Sequence, residues 1–446
     1  MKLKRVSIEP IVDITLCVKD VVDGHFRDDD EDLRRQRWYC VHSVGESVSP
    51  NNTDMLLSAS ESYKPNTQDV GKVLLLEIEG KGFFVTEPVI PFPHPVPRRM
   101  IQLYNDRYDR SLRGPSFRVV TYNILAEVYA TSEQFPNCPP FALSWENRRQ
   151  NLLKEILECE PDIICLQEVQ QNHFSDFFHP ELAKLGYEGM LNRKKREGNI
   201  PTVDGCATFY KLNQFDLITL SSINLRYKDN IALHVILSIK KTSERLCITN
   251  THIHADPKNS DVKLWQVYYL LKDLEKFVHD IPVVLCGDFN SLSGSAPHSL
   301  LTKGYVDPLH EEISDYDPSI KLMFRHRIPL ASAYFKYSRC NLPLQDALKK
   351  MDGKTGERRF TTFIENSRGK FQGTLDYIFY HATKLKLVSL LELIDEEDVK
   401  YRALPSVNHS SNHIPIAAEF SYISTSKPKA KCNMQLKSYG QSHRYQ

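Results

Sequence analysis

The sequence lacks three features that would announce a particular class of protein. It has no apolar run long enough to span a bilayer and no CxxC pair of the kind that binds zinc, and its formal net charge is only +1. A balanced charge excludes the broad positive field of many nucleic-acid binders, so an anionic substrate must be held by a local site or a metal. Glu9 and Asp13 interrupt the apolar start of the chain, which argues against a secretory signal. We therefore expect an intracellular protein, in the cytoplasm, the nucleus or both, with no membrane partner.

The ten cysteines are scattered along the chain and form no metal-binding pattern. Several lie inside apolar, strand-like runs, such as Cys165 in "DIICLQEV" and Cys286 in "VVLCGDFN". This placement is typical of small buried side chains in a reducing compartment.

Proline is concentrated in one stretch, with five residues between Pro88 and Pro97. This density predicts a stiff, extended linker at 88–112. The region before it, 1–87, is predicted to mix strands and loops and has no assigned function; its segment 72–85 has the pattern of two strands around glycines. We expect the catalytic domain at 113–423 and a basic, disordered tail at 424–446.

From residue 113 onward, strand-like runs alternate with helical patterns, which predicts an α/β domain. The segment 144–158 has the apolar spacing of a helix, with Ser144 as the predicted N-cap. Apolar residues at three- and four-residue steps predict a second, longer amphipathic helix in "SDVKLWQVYYLLKDLEKFV".

Polar side chains follow or interrupt many of the apolar runs, and we expect them at the C-terminal ends of strands. They are Asn123, Glu168, His252, Asp288, Asn290, Asp376 and His413. Taken singly, a glutamate at a strand end is usually a surface residue, and a lone histidine is usually structural. Together they make an oxygen-rich set that suits Mg²⁺. Phosphoryl transfer needs such a set, because a cation neutralises the phosphate, a carboxylate accepts a proton, and amides and a histidinium stabilise the transition state.

Longer motifs carry a family resemblance. "YNILA", "LQEV", "DGCATFY", "NTHIHADPKNSDVKLWQV", "CGDFNS", "RHRIPLASAY" and "LDYIFYHA" resemble the endonuclease/exonuclease/phosphatase superfamily, and within it the plant branch of the carbon catabolite repressor protein 4 deadenylases. The similarity covers about 88–422. It implies a four-layer αββα sandwich of two mixed β-sheets flanked by helices. It also implies Mg²⁺-dependent 3′→5′ removal of adenylates from the poly(A) of mRNA, with release of AMP.

The resemblance also implies a role for each site residue. In the metal centre, one or two Mg²⁺ ions, replaceable by Mn²⁺, are held by Glu168, Asp288 and Asn412. In catalysis, the implied roles are water activation by Asp288, orientation of water and phosphate by Asn290, charge stabilisation by His413 with its partner Asp376, and support beside the metal by Asn123. In substrate binding, His252 contacts the phosphate, and Pro257 and Phe371 enclose the terminal adenine.

Two residues depart from the family pattern. The family usually has Asp where this chain has Asn412, and an amide removes one negative charge while keeping a carbonyl that can bind a cation. We expect weaker Mg²⁺ binding and reduced activity. The asparagine that usually contacts the base aligns with Thr362, although Asn366 lies nearby. Adenine selectivity and the stacking role of Phe371 are therefore open, because Phe371 could equally be a packed aromatic.

The partners implied are poly(A) RNA at the 3′ end of mRNA and the subunits of the larger deadenylase complex. The leucine-rich repeats that tether the animal and yeast enzymes to that complex have no counterpart in this sequence. Two other functions stay open. The same fold could act on another nucleotide or RNA phosphoester, or the chain could be a catalytically weakened RNA-binding homologue because of Asn412.

Overall fold

The computed structural model describes most of the chain. The described residues are 3–6, 10–12, 16–18, 21, 36–41, 55–91, 97–103, 113–195, 201–227, 229–366, 369–400 and 403–423. The predicted basic tail at 424–446 and most of the predicted linker lie outside these residues.

A small sheet precedes the proline-rich stretch. Its region contains strands β1 (Leu3–Arg5), β2 (Leu16–Cys17), β3 (Gln36–Val41), β4 (Met55–Ser58), β5 (Ser62–Tyr63), β6 (Val73–Ile78) and β7 (Gly82–Pro88). Five of them pair in the order β1-β7-β6-β3-β4. Trp38, Leu76 and Phe84 are fully buried in its core. The two strands predicted around Gly80 are therefore present as β6 and β7.

The rest of the chain forms two large sheets. The strands are β8 (Met100–Gln102), β9 (Arg113–Asn123), β10 (Ile163–Gln170), β11 (Tyr187–Lys195), β12 (Pro201–Lys211), β13 (Phe215–Asn224), β14 (Ile231–Ile239), β15 (Arg245–His252), β16 (Val283–Asp288), β17 (Leu330–Ser332), β18 (Thr362–Asn366), β19 (Gly369–Gly373), β20 (Asp376–His381), β21 (Leu385–Leu391) and β22 (Ile416–Ile423). One sheet has the order β11-β12-β10-β9-β22-β21-β8 and the other β13-β14-β15-β16-β20-β17, while β18 and β19 form a separate hairpin. Both sheets mix parallel and antiparallel pairs.

The helices lie outside the two sheets. They are α1 (Pro140–Leu143), α2 (Trp145–Glu158), α3 (Gln171–His173), α4 (His179–Lys184), α5 (Ser260–Val278), α6 (Ala296–Lys303), α7 (Pro318–Lys321), α8 (Leu344–Lys349) and α9 (Glu396–Lys400). A π-helical turn, Phe174–Phe178, joins α3 to α4. Helix α2 packs on the first sheet, and α5 and α6 pack on the second.

The largest apolar cluster lies between the two sheets. It combines Val119 and Cys165 of the first sheet with Val235, Ile248 and Cys286 of the second, all of them buried. With α2 outside one sheet and α5 outside the other, the layers are helix, sheet, sheet, helix. This arrangement confirms the predicted four-layer αββα sandwich.

The predicted linker between the two regions is only partly described. Within it, Met100–Gln102 forms strand β8 at the edge of the seven-stranded sheet and pairs with β21. An edge position is where a proline-rich segment can pair, because one side of the strand needs no hydrogen bonds to a neighbour. The boundaries drawn at 87 and 112 stay predictions.

Both amphipathic helices are present as α2 and α5, but Ser144 does not cap its helix. It occupies the N-cap position, yet its hydroxyl donates to Phe141 O at 2.9 Å and accepts from the Asn147 side chain at 2.8 Å, with no bond from a backbone N–H of the first turn. The short helix α1 ends immediately before Ser144 and supplies this competing carbonyl acceptor.

Within the described part of the chain, no helix is both long and apolar enough to cross a bilayer. Cys165 and Cys286 are fully buried as free thiols, as their sequence context predicts.

Candidate active site

The site lies where the ends of four strands meet at one edge of the sandwich. Strands β9 and β10 run parallel, which brings Asn123 beside the end of β10. Strands β15 and β16 also run parallel, and His252 is the register partner of Asp288. Asn123, His252 and Asp288 are buried, with at most 4% of their surface exposed.

Two predicted residues reach this edge differently from what the sequence pattern indicated. The prediction that Asp376 ends a strand is wrong, because it begins β20, which runs antiparallel to β16 and places Asp376 opposite Asp288. The same holds for His413, which precedes β22, a strand antiparallel to β9. In an antiparallel pair the start of one strand lies beside the end of its neighbour, so all of these side chains still meet at one edge.

Two site residues have left-handed backbone conformations. Glu168 has φ +59° and lies where the pairing of β10 with β12 shifts register between Leu166 and Val169. A bulge of this kind redirects the side chains of the bulged strand. Asn290, two residues after the end of β16, has φ +46°. Strained backbone of this type is concentrated at functional sites.

Asn123 connects the two carboxylates at the centre. Its Nδ2 donates to Glu168 Oε1 and to Asp288 Oδ2, both at 3.0 Å, while its Oδ1 accepts from Leu125 N at 3.1 Å. These three partners define which amide atom is nitrogen. The second oxygen of Glu168 accepts from Ala126 N at 2.9 Å.

His413 and Asp376 form a buried ion pair next to Asp288. His413 Nδ1 lies 2.8 Å from Asp376 Oδ2, and His413 Nε2 lies 3.7 Å from Asp288 Oδ2. Burial alone would lower the pKa of His413, but the two aspartates outweigh it and raise the pKa to about 9. His413 is therefore an imidazolium at neutral pH. Burial raises the pKa of Asp288 to about 7, against the opposing effect of His413.

His252 has the opposite electrostatic character. Burial, reinforced by the charges of Lys194 and His413, holds its pKa well below the ordinary value, so its ring is neutral. Its Nε2 lies 3.6 Å from Asp288 Oδ2, and its buried Nδ1 has no hydrogen-bond partner. Nε2, which lies beside Asp288, is therefore the nitrogen that can hydrogen-bond an incoming phosphate group.

The donor set around Asn123 fits a hard divalent cation. Glu168 and Asp288 converge on one amide, and Asp288 is a desolvated carboxylate whose charge a cation would stabilise. Asp288, Asp376 and His413 also offer ligand atoms within 4.8 Å of one another. A protonated imidazole has no lone pair for a metal, however. The geometry therefore favours a cation on the Glu168 side of Asp288.

Beside this centre lies a cavity of about 490 Å³. The residues of interest in its lining are Pro257, Lys263, Asn290, Glu312, Asn366 and Phe371. Phe371 is 40% exposed in β19, so it is not a packed core aromatic. Lys263 Nζ donates to Asn290 O at 2.7 Å, which fixes the turn that carries Asn290. Pro257 and Phe371, separated widely in sequence, thus face the same volume.

The two departures from the family pattern lie together. Thr362 is fully buried, and its hydroxyl donates to Asn412 O at 2.7 Å. Asn366, in contrast, lines the cavity. Asn412 is half-buried, and Ser411 beside it donates to Asn123 O at 2.6 Å. Thr362 therefore supports the Asn412 turn and does not face the base-sized cavity.

Sequence reasoning missed a buried clamp that joins the two sides of this edge. Arg148 in α2 is fully buried and donates to Ile124 O, Leu125 O and Ser410 O at 2.8–2.9 Å, and to Leu143 O at 3.0 Å. It thereby connects the segment after Asn123 with the loop that carries His413. Its position three residues after Trp145 and four before Leu152 places Arg148 on the apolar face of α2, which signals burial, whereas its backbone partners have no signal in the sequence.

Comparison with known proteins relates this geometry to a family. The model of the Endonuclease/Exonuclease/phosphatase family matches residues 120–413. The carbon catabolite repressor protein 4 homolog 1 of Arabidopsis thaliana is 40% identical over 424 residues, covering 81% of this chain and 69% of that protein. The Saccharomyces cerevisiae CCR4-Not complex 3′-5′-exoribonuclease subunit Ccr4 is 32% identical over 399 residues, covering 77% of this chain but only 45% of the yeast protein.

Two solved structures share the architecture. ANGEL2, described as a 2′,3′-cyclic phosphatase, superimposes with a TM-score of 0.59 at 27% identity and covers 74% of this chain and 99% of its own. The human Nocturnin catalytic domain superimposes with a TM-score of 0.52 at 28% identity, covering 73% of this chain and 97% of its own. The chain therefore belongs to the endonuclease/exonuclease/phosphatase family and, within it, to the carbon catabolite repressor protein 4 homologues of the plant type.

Proposed function

We propose that the chain is a Mg²⁺-dependent 3′→5′ exoribonuclease that shortens the poly(A) tail of mRNA and releases AMP. Family membership confirms the prediction of an enzyme in the nuclease class. The metal identity, the adenine preference and the role in mRNA turnover are parts of the proposal. The observation that supports it best is the convergence of Glu168 and Asp288 on Asn123, beside both the His413–Asp376 pair and a base-sized cavity.

The first chemical requirement is to neutralise the scissile phosphate. A divalent cation held by Glu168 and Asp288 would supply that charge. Asn123 orients both carboxylates by donating one hydrogen bond to each. Asn412, with its side-chain carbonyl, adds a neutral ligand where the family usually has a carboxylate. The site therefore holds less negative charge for a cation than its relatives do.

The second requirement is to move protons and stabilise developing charge. Asp288, beside His413 Nε2 and hydrogen-bonded to Asn123, would accept a proton from the attacking water. His413 donates from Nε2 to the phosphate oxygen that gains charge, because its Nδ1 proton is committed to Asp376. His252, neutral and buried, offers a hydrogen bond to a second phosphate oxygen. Asn290 orients water and phosphate from its fixed turn.

The third requirement is to hold the terminal base. The cavity offers an exposed aromatic face from Phe371 and an apolar face from Pro257. A stacked base contributes about 1–3 kcal/mol with little dependence on its identity. Asn366 is the cavity-lining amide that can read the base edge, since Thr362 is committed to Asn412.

The decisive experiment incubates the purified chain with a 5′-labelled RNA ending in a run of A over a Mg²⁺ titration. Stepwise shortening from the 3′ end that Glu168→Gln abolishes would support the nuclease. Parallel runs with U, C and G homopolymers test the adenine preference. Binding of the A-ended RNA without turnover at any Mg²⁺ concentration would contradict the proposal and favour an RNA-binding homologue.

A second candidate is a phosphoesterase acting on another RNA end. The likeness to ANGEL2, a 2′,3′-cyclic phosphatase, motivates an RNA that ends in a 2′,3′-cyclic phosphate as the competing substrate. Turnover of that end, without shortening of poly(A), would favour this alternative. We further propose that the chain acts in the cytoplasm or nucleus and meets subunits of a deadenylase complex, as the yeast relatives are named for such a complex. Co-purification of tagged chain with such subunits tests this.

A further inference from the structure

An aromatic and basic ledge lies on the surface near the end of β15, outside the residues assigned above. It consists of Arg226 and Tyr227 in the loop between β13 and β14, with Trp265 and Tyr269 on α5. The Tyr227 ring centroid lies 6.3 Å from those of Trp265 and Tyr269, and the latter two stack at 5.7 Å. The guanidinium of Arg226 lies 4.6 Å from the Tyr269 ring centre.

Arg226 and Tyr227 of the ledge are exposed, while Trp265 and Tyr269 are half-buried. Tyr227 is 58% exposed and has φ +76°, a conformation that bulky side chains rarely adopt. Its ring packs beside those of Trp265 and Tyr269, so it is held in place. The fold thus maintains a strained loop that presents an aromatic face to solvent. Observed strain of this kind points to a functional surface.

Hydrogen bonds tie the ledge to the catalytic edge. Asn230, at the end of the same loop, donates to His252 O at 2.9 Å. Gln266 on α5 bonds to Arg226 O, to Asn230 and to His254 N. The loop and the helix are therefore both anchored at the strand end that carries the phosphate-facing His252.

The position of the ledge sets which part of a bound strand it can meet. The strand order is β13-β14-β15-β16-β20. The base-sized cavity is lined by residues that follow β15 and β16 and by the hairpin before β20, so it extends from His252 toward the β16 side of the sheet. The ledge belongs to the loop before β14, on the other side. A strand with its terminal nucleotide in the cavity would leave the site over the ledge.

We propose that Arg226, Tyr227 and Tyr269 form a binding subsite for the nucleotides of single-stranded RNA that lie 5′ of the dinucleotide containing the scissile phosphate. Exposed aromatic rings stack on any base, and the neighbouring guanidinium pairs with the backbone phosphate; both are the recurring elements of single-strand binding. The inference rests on the proposed RNA substrate and extends it. It predicts that the enzyme prefers longer single strands over a dinucleotide and that part of this preference is carried by Tyr227.

The test compares Tyr227→Ala with native chain on two substrates, the dinucleotide ApA and a 20-residue oligoadenylate. Loss of one stacked base predicts a kcat/KM lower by about tenfold on the long substrate, with no change on ApA. Tyr227→Phe, which keeps the ring, restores native values. Tyr305→Ala is the matched control, because Tyr305 is 50% exposed on another part of the same domain. Equal loss on both substrates, or no loss on the long one, overturns the inference.

A binding measurement separates this inference from the proposed catalysis. Fluorescence anisotropy of labelled oligoadenylate is measured with Glu168→Gln and with Glu168→Gln combined with Tyr227→Ala. Affinity weaker by about tenfold in the combined variant supports the ledge even if the native chain proves inactive. Replacing Arg226 by Gln lowers the slope of log affinity against log salt by about 0.7 if the guanidinium meets one phosphate. Unchanged affinity and an unchanged slope contradict the subsite.

Discussion

Thr362 donates a 2.7 Å hydrogen bond from its hydroxyl to the backbone carbonyl of Asn412. The two residues predicted to depart from the family pattern are thus in direct contact. Asn412 lies on the turn that leads to His413, and Thr362 supports that turn from β18. Because the bond uses the backbone of Asn412, the side chain at that position can be changed without removing this support. The charge at position 412 can therefore be varied independently of the turn.

Asn412→Asp is expected to strengthen metal binding. The substitution adds a carboxylate next to Ser411, whose hydroxyl donates to Asn123 O, at the position that the resemblance assigns to the metal centre, and changes around a metal typically alter its affinity by about 10–100-fold. We expect the Mg²⁺ concentration for half-maximal activity to fall by about tenfold. A Mg²⁺ titration of turnover measures this. Asn408→Asp places the same charge in the same loop. An equal fall in the half-maximal Mg²⁺ concentration for that variant would show that the added negative charge matters but its position does not.

Phe371→Ala is expected to weaken binding of the terminal base. The ring lines the cavity and is 40% exposed, so its loss removes stacking of about 1–3 kcal/mol while leaving the core intact. The prediction is a higher KM for A-ended RNA with a nearly unchanged melting temperature. Phe371→Tyr should behave as native. A large drop in melting temperature would instead identify Phe371 as a packing residue.

Arg148→Met is expected to damage stability and activity together. The side chain satisfies four carbonyl groups from three segments, and leaving buried acceptors unpaired costs about 1–3 kcal/mol each. Urea unfolding should show a lower free energy of unfolding by roughly 3 kcal/mol or more. Arg148→Lys keeps the positive charge but lacks the planar guanidinium that donates to all four carbonyl groups.

If Arg148→Lys lowered kcat while KM stayed at the native value, the result would show that the hydrogen bonds of Arg148 position the loop that carries His413. The control is Arg149→Met, a change at the next position of the same helix, where the side chain is about one-third exposed. If Arg149→Met proved as damaging as Arg148→Met, the clamp would have no special role.

Glu155→Gln is expected to change how stability depends on pH. Burial raises the pKa of Glu155 from 4.5 to about 7, and its carboxylate accepts from Tyr122 at 2.9 Å. The folded state thus binds more protons than the unfolded state between these values. Native stability therefore falls as pH rises from 4.5 to about 7, by at most roughly 3 kcal/mol. The variant should lack this loss and be more stable than native chain at pH 8.

Urea unfolding at pH 4.5 and at pH 8 measures the effect. Glu146→Gln, an exposed change on the same helix, should leave the pH dependence of stability as it is in the native chain. A Glu155→Gln variant whose stability difference from native is the same at both pH values would contradict the raised pKa.

The sandwich and its outer helices could be predicted because they depend on local patterns and family motifs. The three- and four-residue spacing of Leu264, Val267 and Leu271 predicts α5, and the structure buries all three. Asn123, His252 and Asp288 follow apolar runs, and those strands do end at the site. Patterns of this kind are visible because burial on one face imposes a period on the sequence.

What could not be predicted depends on contacts between distant segments. Strand direction is one case, since an apolar run reads the same whether Asp376 begins or ends it. The partners of Arg148 are another, because they are backbone carbonyls, which carry no residue identity. The hydroxyl of Thr362 could as easily have faced the cavity as the Asn412 turn. In each case the missing information is the relative placement of two segments.

The site is divided between the two sheets. Asn123 and Glu168 belong to one sheet, while His252, Asp288 and Asp376 belong to the other, and His413 arrives just before the last described strand. During synthesis, neither half has a complete set of groups until the residues of β22 have left the ribosome and inserted between β9 and β21. The complete set of site residues therefore exists only when synthesis of the domain is nearly finished.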